Sequence, residues 1–214
     1  VQTISSGGIA SNTVINTGGT QAISSGGIAN STTVNVGGNQ SILAGGVASN
    51  TIVNSGNVNL FTLGTAVNTQ VSGSVGRLYV RGGTASGTTL NSGTMLYVFG
   101  GLASGTIVNA NSVDYISSGG IASATRVNSG GAETVFAGGQ AFGTIVSSGG
   151  FQTVSSGGVA SATIVNTGGI QAVSSGGAAN GATLLGIQII LIPIIAISPC
   201  QPSLNRITLR IAYQ

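Results

Sequence analysis

A period of about nineteen residues constrains this chain more than any other feature. Alanine recurs at Ala10, Ala29, Ala48, Ala66, Ala85, Ala103, Ala122, Ala141, Ala160 and Ala179, at spacings of 18 or 19 residues. Two residues before each stands a glycine, from Gly8 through Gly64 and Gly101 to Gly177. Five residues after each stands an aliphatic: Ile15, Val34, Val53, Val71, Leu90, Val108, Val127, Val146, Val165 and Leu184. Three columns that hold register over ten units define a tandem array, and an array decides the fold before any single element does. The unit from Ser155 to Val173 states the pattern: S-S-G-G-x-A-S-x-T-x-V-N-x-G-G-x-Q-x-V.

Paired glycines break every unit. Each glycine costs about 1 kcal/mol against alanine inside a helix, so a helical array is excluded. What remains is strand. Thr and the aliphatic of T-x-V are two apart, as in Thr163-Ile164-Val165, and so face one side of a strand. The Q-x-V segment supplies a second strand and ends on a large apolar column: Ile4, Ile23, Ile42, Leu60, Tyr79, Tyr97, Ile116, Val135, Val154 and Val173. Gly-Gly pairs between segments suit turns that need positive φ.

One unit is too small to bury a core of its own, but stacked copies are not. The pattern predicts an all-β fold: a single-stranded parallel β-helix, a solenoid of about ten 18–19-residue coils, with strands pairing one unit along at about 4.8 Å. Asn16, Asn35, Asn54, Asn91, Asn109, Asn128 and Asn166 follow the aliphatic column. They are expected at a corner, each amide bonding to the next coil's.

Composition removes several kinds of chemistry. There is no histidine, and the only acidic side chains are Asp114 and Glu133. The cations are Arg77, Arg81, Arg126, Arg206 and Arg210; they form no basic stripe, so no nucleic-acid partner is expected. The glycine pairs have no adjacent lysine and open no helix, which excludes a phosphate loop. One aspartate is too few for a calcium-binding β-roll. No metal and no cofactor is expected. Asp114 and Glu133 fall in one column a coil apart, on what reads as an exposed face. Paired carboxylates can hydrolyse glycosides, so a β-helical polysaccharide-active enzyme stands as the alternative, with a non-enzyme preferred.

Coils four to six depart from the repeat. The Gln column there reads Val58, Arg77, Met95, Asp114 and Glu133, and aromatic residues gather nearby. Arg77, Arg81, Met95, Phe99, Asp114 and Tyr115 form a candidate contact patch, since aromatic and arginine side chains anchor interfaces. The competing reading makes Tyr79 and Tyr97 core residues and the others drift. Ser5, Ser24, Ser117, Ser155 and Ser174 open the serine pairs of the turns and are candidates for O-glycosylation.

The repeat is expected to span residues 1–184, and residues 185–214 to form a non-repeat apolar tail. All 38 glycines lie in the first 186 residues, and all three prolines and the single Cys200 lie in the tail. Three readings stay open for the tail: a cap over the last coil, an out-of-frame or truncated end, and a membrane segment. The last is weakest, because the run from Leu184 to Ile197 is shorter than the roughly 20 residues of a spanning helix and contains Pro193.

The units, with S-S-G-G-I-A-S-N-T followed by N-x-G-G-x-Q from Ser5 onward, resemble the passenger repeats of AIDA-type, antigen 43-like autotransporter adhesins of Gram-negative bacteria. The resemblance covers Val1 to about Leu184. It implies a β-helical stalk on the bacterial cell surface, or secreted, that carries adhesion, self-association and biofilm formation. It implies as partners a second rod or a host-cell receptor or glycan, and serine or threonine residues that carry heptose in some relatives. Outer-membrane anchoring is expected only through a translocator domain that these residues do not contain. A passive stalk whose binding domain lies elsewhere is the remaining alternative.

Overall fold

The computed structural model describes residues 1–190 and 210–211. Three parallel sheets run the length of a solenoid, and each coil contributes one strand to each sheet. The first coil supplies Gln2–Ile4, Ile9–Ser11 and Val14–Ile15, and the pattern recurs to Ala178–Asn180 and Thr183–Leu184. Every pairing between coils is parallel and in register: Ala10 lies against Ala29, and Val146 against Val165. The alanine column thus belongs to a third strand of its own, beside the T-x-V and Q-x-V strands. Its strands are only three residues long.

The interior is a set of side-chain stacks. Ala29 through Ala160 are buried, as are the aliphatics that end T-x-V, from Val34 to Val165. Alanine suits the second sheet because a small side chain lets that wall approach the other two. Gly158 shows why the second glycine of a pair is required: a Cβ there would sit 2.5 Å from the carbonyl oxygen of Val135, in the coil beneath. Gly157, its neighbour, has φ of +75° and turns the chain. The expected corner ladder is present in two runs, Asn16 to Asn54 and Asn91 to Asn128, while Asn166 stands outside it between Ser147 and Leu185. Asn35 donates to Asn16 at 2.8 Å, Asn109 to Asn91 at 2.9 Å and Asn128 to Asn109 at 2.8 Å.

Two features of the first sheet correct the sequence reading. Val80 and Val98, not Tyr79 and Tyr97, continue the buried column that runs from Leu60 to Ile116. The Gln column in these coils therefore reads Val58, Leu78 and Leu96, not Arg77 and Met95. The turn after Val71 carries the extra residue, so the strand that follows enters one position later. Strand alternation then turns Arg77, Tyr79 and Arg81 outward together.

The second correction concerns the glutamines, which point inward. Gln21, Gln40, Gln152 and Gln171 are fully buried and bond coil to coil: Gln40 donates to Gln21 at 2.8 Å and Gln171 to Gln152 at 2.7 Å. The inward threonines of T-x-V reach across the core to them, Thr51 donating to Gln40 and Thr163 to Gln152, both at 3.2 Å. The core thus holds a polar spine among its aliphatic stacks. Where Val58, Leu78 and Leu96 replace glutamine, the hydroxyls of Thr69, Thr88 and Thr106 are buried without a partner.

Stacking also runs past Leu184, where the columns were expected to stop. Ile187–Ile190 adds a parallel strand to the first sheet, with Gln188 donating to Gln171 at 2.6 Å. Arg210–Ile211 pairs antiparallel with that strand. Pro193, Pro199, Cys200 and the remainder of the tail, with its readings as a cap, an out-of-frame end or a membrane segment, lie outside the described residues.

Candidate functional site

The outer wall of the first sheet is where the repeat gathers its aromatic side chains into stacks. In most coils the outward position between glutamine and aliphatic is small or polar, as with Thr3, Ala22, Ser41, Thr153 and Ala172. In the middle coils it becomes Tyr79, Tyr97 and Tyr115. Parallel in-register strands bring these rings together. Tyr79 and Tyr97 stack at 5.1 Å between centroids and 10° between planes, and Tyr97 and Tyr115 at 5.2 Å and 22°. Phe99 joins Tyr97 at 5.9 Å, and Phe136 joins Tyr115 at 6.0 Å. Such pairs contribute about 0.5–1.5 kcal/mol each beyond the area they bury.

Arg81 completes the patch. Its guanidinium stands 4.9 Å from the Tyr79 ring centroid and 5.9 Å from that of Phe99. Tyr97 donates its hydroxyl to the Met95 sulfur at 3.0 Å. Of the six patch residues expected from sequence, Arg81, Met95, Phe99 and Tyr115 therefore lie together, and Arg77 shares their face on the same wall. The structure adds Tyr79, Tyr97 and Phe136. The alternation in Arg77-Leu78-Tyr79-Val80-Arg81 could have revealed the two tyrosines, because charged residues of the same parity require that face to be wet.

Asp114 is not part of the patch. It is fully buried in the glutamine column, directly beneath Glu133, which is buried too. Loss of hydration pushes the Asp114 carboxyl well above its usual range, and the neighbouring Glu133 charge adds to the effect. Burial also raises Glu133, opposed by hydrogen bonds from Gln152 at 2.6 Å and Thr144 at 2.9 Å. The exposed carboxylate pair expected from sequence is thus a core element of the polar spine. Sealed from solvent, neither group meets a substrate at the surface. Among the described residues no three His, Cys, Asp or Glu side chains cluster as metal ligands would.

The serine candidates divide. Ser5 is exposed, while Ser24, Ser117, Ser155 and Ser174 are half-buried. In these turns the second serine is the open one: Ser6, Ser25, Ser118, Ser156 and Ser175 are all exposed.

Fold and wall together define a stalk-like rod: a repetitive parallel solenoid that carries one strip of stacked aromatic rings. Comparison with known proteins places it more closely. The AIDA family model, described as "Adhesin of bacterial autotransporter system, probable stalk", matches residues 134–186. A crystallised, TibC-catalysed hyper-glycosylated fragment of TibA is 41% identical with a TM-score of 0.82, over 87% of this chain and 76% of that one. The pentapeptide-repeat protein HetL, from the cyanobacterium Nostoc sp., aligns at 11% identity and a TM-score of 0.28, too distant to bear on fold or function. No curated protein matches significantly. The chain belongs to the AIDA-type family of autotransporter adhesins, as a segment of passenger stalk.

Proposed function

We propose that this rod is a working adhesive segment, held at the bacterial surface by an outer-membrane translocator in the full-length protein and associating with a second rod or with a host-cell receptor or glycan. It carries no catalysis. The observation that supports this most is the specialised strip at Tyr79, Tyr97, Tyr115 and Arg81, because a passive spacer gains nothing from stacked aromatic rings in a column that is small or polar in most other coils. Along the other walls, repeated hydroxyl and amide columns suit lateral association through many weak hydrogen bonds. Each is worth about 1 kcal/mol net, so affinity and register build only over several coils.

Beads coated with the chain should clump or adhere to epithelial cells. Replacing Tyr79, Tyr97 and Tyr115 with serine should reduce at least one of these behaviours. A coat that does neither leaves the rod as a passive stalk.

The comparison with hyper-glycosylated TibA supports sugar attachment here as well. Exposure favours Ser5 and the second serine of the other turns, Ser25, Ser118, Ser156 and Ser175, over Ser24, Ser117, Ser155 and Ser174. Mass spectrometry of the chain co-expressed with TibC tests the assignment. Sugar confined to the half-buried serines would refute it.

A further inference from the structure

Next to the tyrosine ladder runs a second outward column: Phe61, Arg81, Phe99, Ser117 and Phe136. The aromatic run breaks at Ser117. Phe99 and Phe136 flank that break two coils apart, about 9.6 Å at 4.8 Å per strand. Each ring stacks on a tyrosine of the neighbouring column, Phe99 on Tyr97 at 9° and Phe136 on Tyr115 at 24°, and those two tyrosines stack on each other at 22°. The result is a slot of about 300 Å³ lined by Met95, Tyr97, Phe99, Tyr115, Ser117 and Phe136. Phe99 and Phe136 stand at its two ends along the rod, with Ser117 in the coil between them.

The width selects the guest. Carbon contacts are best at about 3.5–4.0 Å, so two such contacts leave roughly 2 Å for the guest's own thickness. A flat nucleobase underfills that space, whereas a puckered pyranose ring, with hydrogens on both faces, fills it. Charge selects further. The chain's only acidic side chains, Asp114 and Glu133, are wholly buried, while Arg81 is exposed beside Phe99. Side-chain charge on the described wall is therefore entirely cationic. It attracts an anion and works against docking the same face of a second copy.

We propose that the Ser117 slot, with Arg81, holds a pyranose ring of a carboxylate-bearing polysaccharide strand lying along the rod. The proposal rests on the adhesin reading and names the chemistry of its partner. Sugar faces would lie between Phe99 and Phe136, hydroxyls would meet Ser117 and the tyrosine hydroxyls, and a carboxylate would reach Arg81.

The test is calorimetric titration of the full chain with an oligogalacturonate, with dextran and oligo-dT as comparison probes. The expected result is saturable binding of the oligogalacturonate, weaker at high salt, with dextran and oligo-dT bound far less. Phe99→Ala and Arg81→Ala should each weaken it at least about tenfold, and Phe142→Ala on another wall should not. Ser117→Tyr closes the slot by extending the aromatic column, so it should abolish binding without lowering the melting temperature. No binding, equal binding of dextran, tighter binding of oligo-dT, or unchanged binding by Ser117→Tyr each overturns the proposal. Chains that cluster cells yet bind no oligogalacturonate sink this proposal and leave the adhesin reading standing.

Discussion

Glu133 lies in register over Asp114 on adjacent strands of the first sheet, and neither carboxyl group reaches water. Both Asp114 oxygens and one Glu133 oxygen lack a hydrogen-bond partner. Two full charges this close in a dry core are untenable, so burial and mutual repulsion hold protons on the pair. The folded state then binds more protons than the unfolded chain between the ordinary carboxylate range and the raised folded values.

The pH dependence follows from that sign. With carboxyl pKa values raised by folding, stability is greatest below about pH 4, the unfolded value. It falls as pH rises toward the folded values, by up to about 1.4 kcal/mol per pH unit for each proton involved. Thermal melts between pH 4 and pH 8 should show a falling melting temperature, the reverse of ordinary acid denaturation. A flat or rising profile over that window would refute the assignment.

Glu133→Gln should restore the spine. An amide at this position can donate toward Asp114 while its oxygen accepts from Gln152 and Thr144, as Gln152 itself does from Gln171 and Thr163. Relieving a buried, unsatisfied polar atom, here one Glu133 oxygen, is worth about 1–3 kcal/mol. The variant should melt higher at pH 8 and show a shallower pH profile. A lower melting temperature at pH 8 would mean that Glu133 makes a net favourable interaction.

The threonine column provides an internal control. Thr51 donates to Gln40, whereas Thr88, facing the coil position where Leu78 stands, has no partner. Thr88→Val replaces an unsatisfied hydroxyl by a methyl of similar shape and should be neutral or stabilise by about 1 kcal/mol. Thr51→Val strands Gln40's acceptor and should destabilise by a similar amount. Denaturant midpoints of the two variants should move apart; parallel shifts would contradict the pairing.

Much of this core was legible in the sequence, and its failures have physical causes. The alanine and valine columns announce themselves because each is apolar in every coil. The asparagine ladder is visible because a repeated amide at a corner has one obvious use. The glutamines mislead by their polarity: alternation puts each on the same face as the buried aliphatic two residues on, but a polar side chain there normally lacks partners. Only stacking, which supplies each buried amide with the coil above and below, reverses that rule. Tyr79 and Tyr97 mislead differently: the count from Leu60 favours them, while the local alternation with Arg77 and Arg81 favours Val80 and Val98. The slot at Ser117 is invisible until the register is known, because it is made by an absence between Phe99 and Phe136.

Glycine at 158 should tolerate no side chain. A Cβ would meet the Val135 and Phe136 carbonyl oxygens of the preceding coil at 2.5 and 3.0 Å, and backbone cannot yield without opening the stack. Gly158→Ala should destabilise by about 1–3 kcal/mol, as overpacking does. Gly157→Ala, with φ of +75° in a turn, meets the Ala137 side chain at 3.1 Å; its cost should be nearer 1 kcal/mol, chiefly backbone strain. Urea melts of the pair would check the order.

Excision of one whole coil tests the solenoid itself. Each coil packs only on its neighbours, so stability is a sum of local terms rather than a property of one closed core. Removing Gln140 through Gly158 takes out 19 residues and joins Gly139 to Val159, which already occupies the equivalent place one coil along. Gln152 leaves with the excised coil, and Gln171 then faces Glu133 across the new junction. The shortened chain should fold with the same circular dichroism per residue and a slightly smaller denaturant m-value, since less surface is exposed on unfolding. Extending the excision to Val159 breaks the register at the second sheet and presents Ala160 where a strand's first, outward residue should be. That chain should lose stability far out of proportion to one residue, and equal stability of the two would argue against in-register stacking.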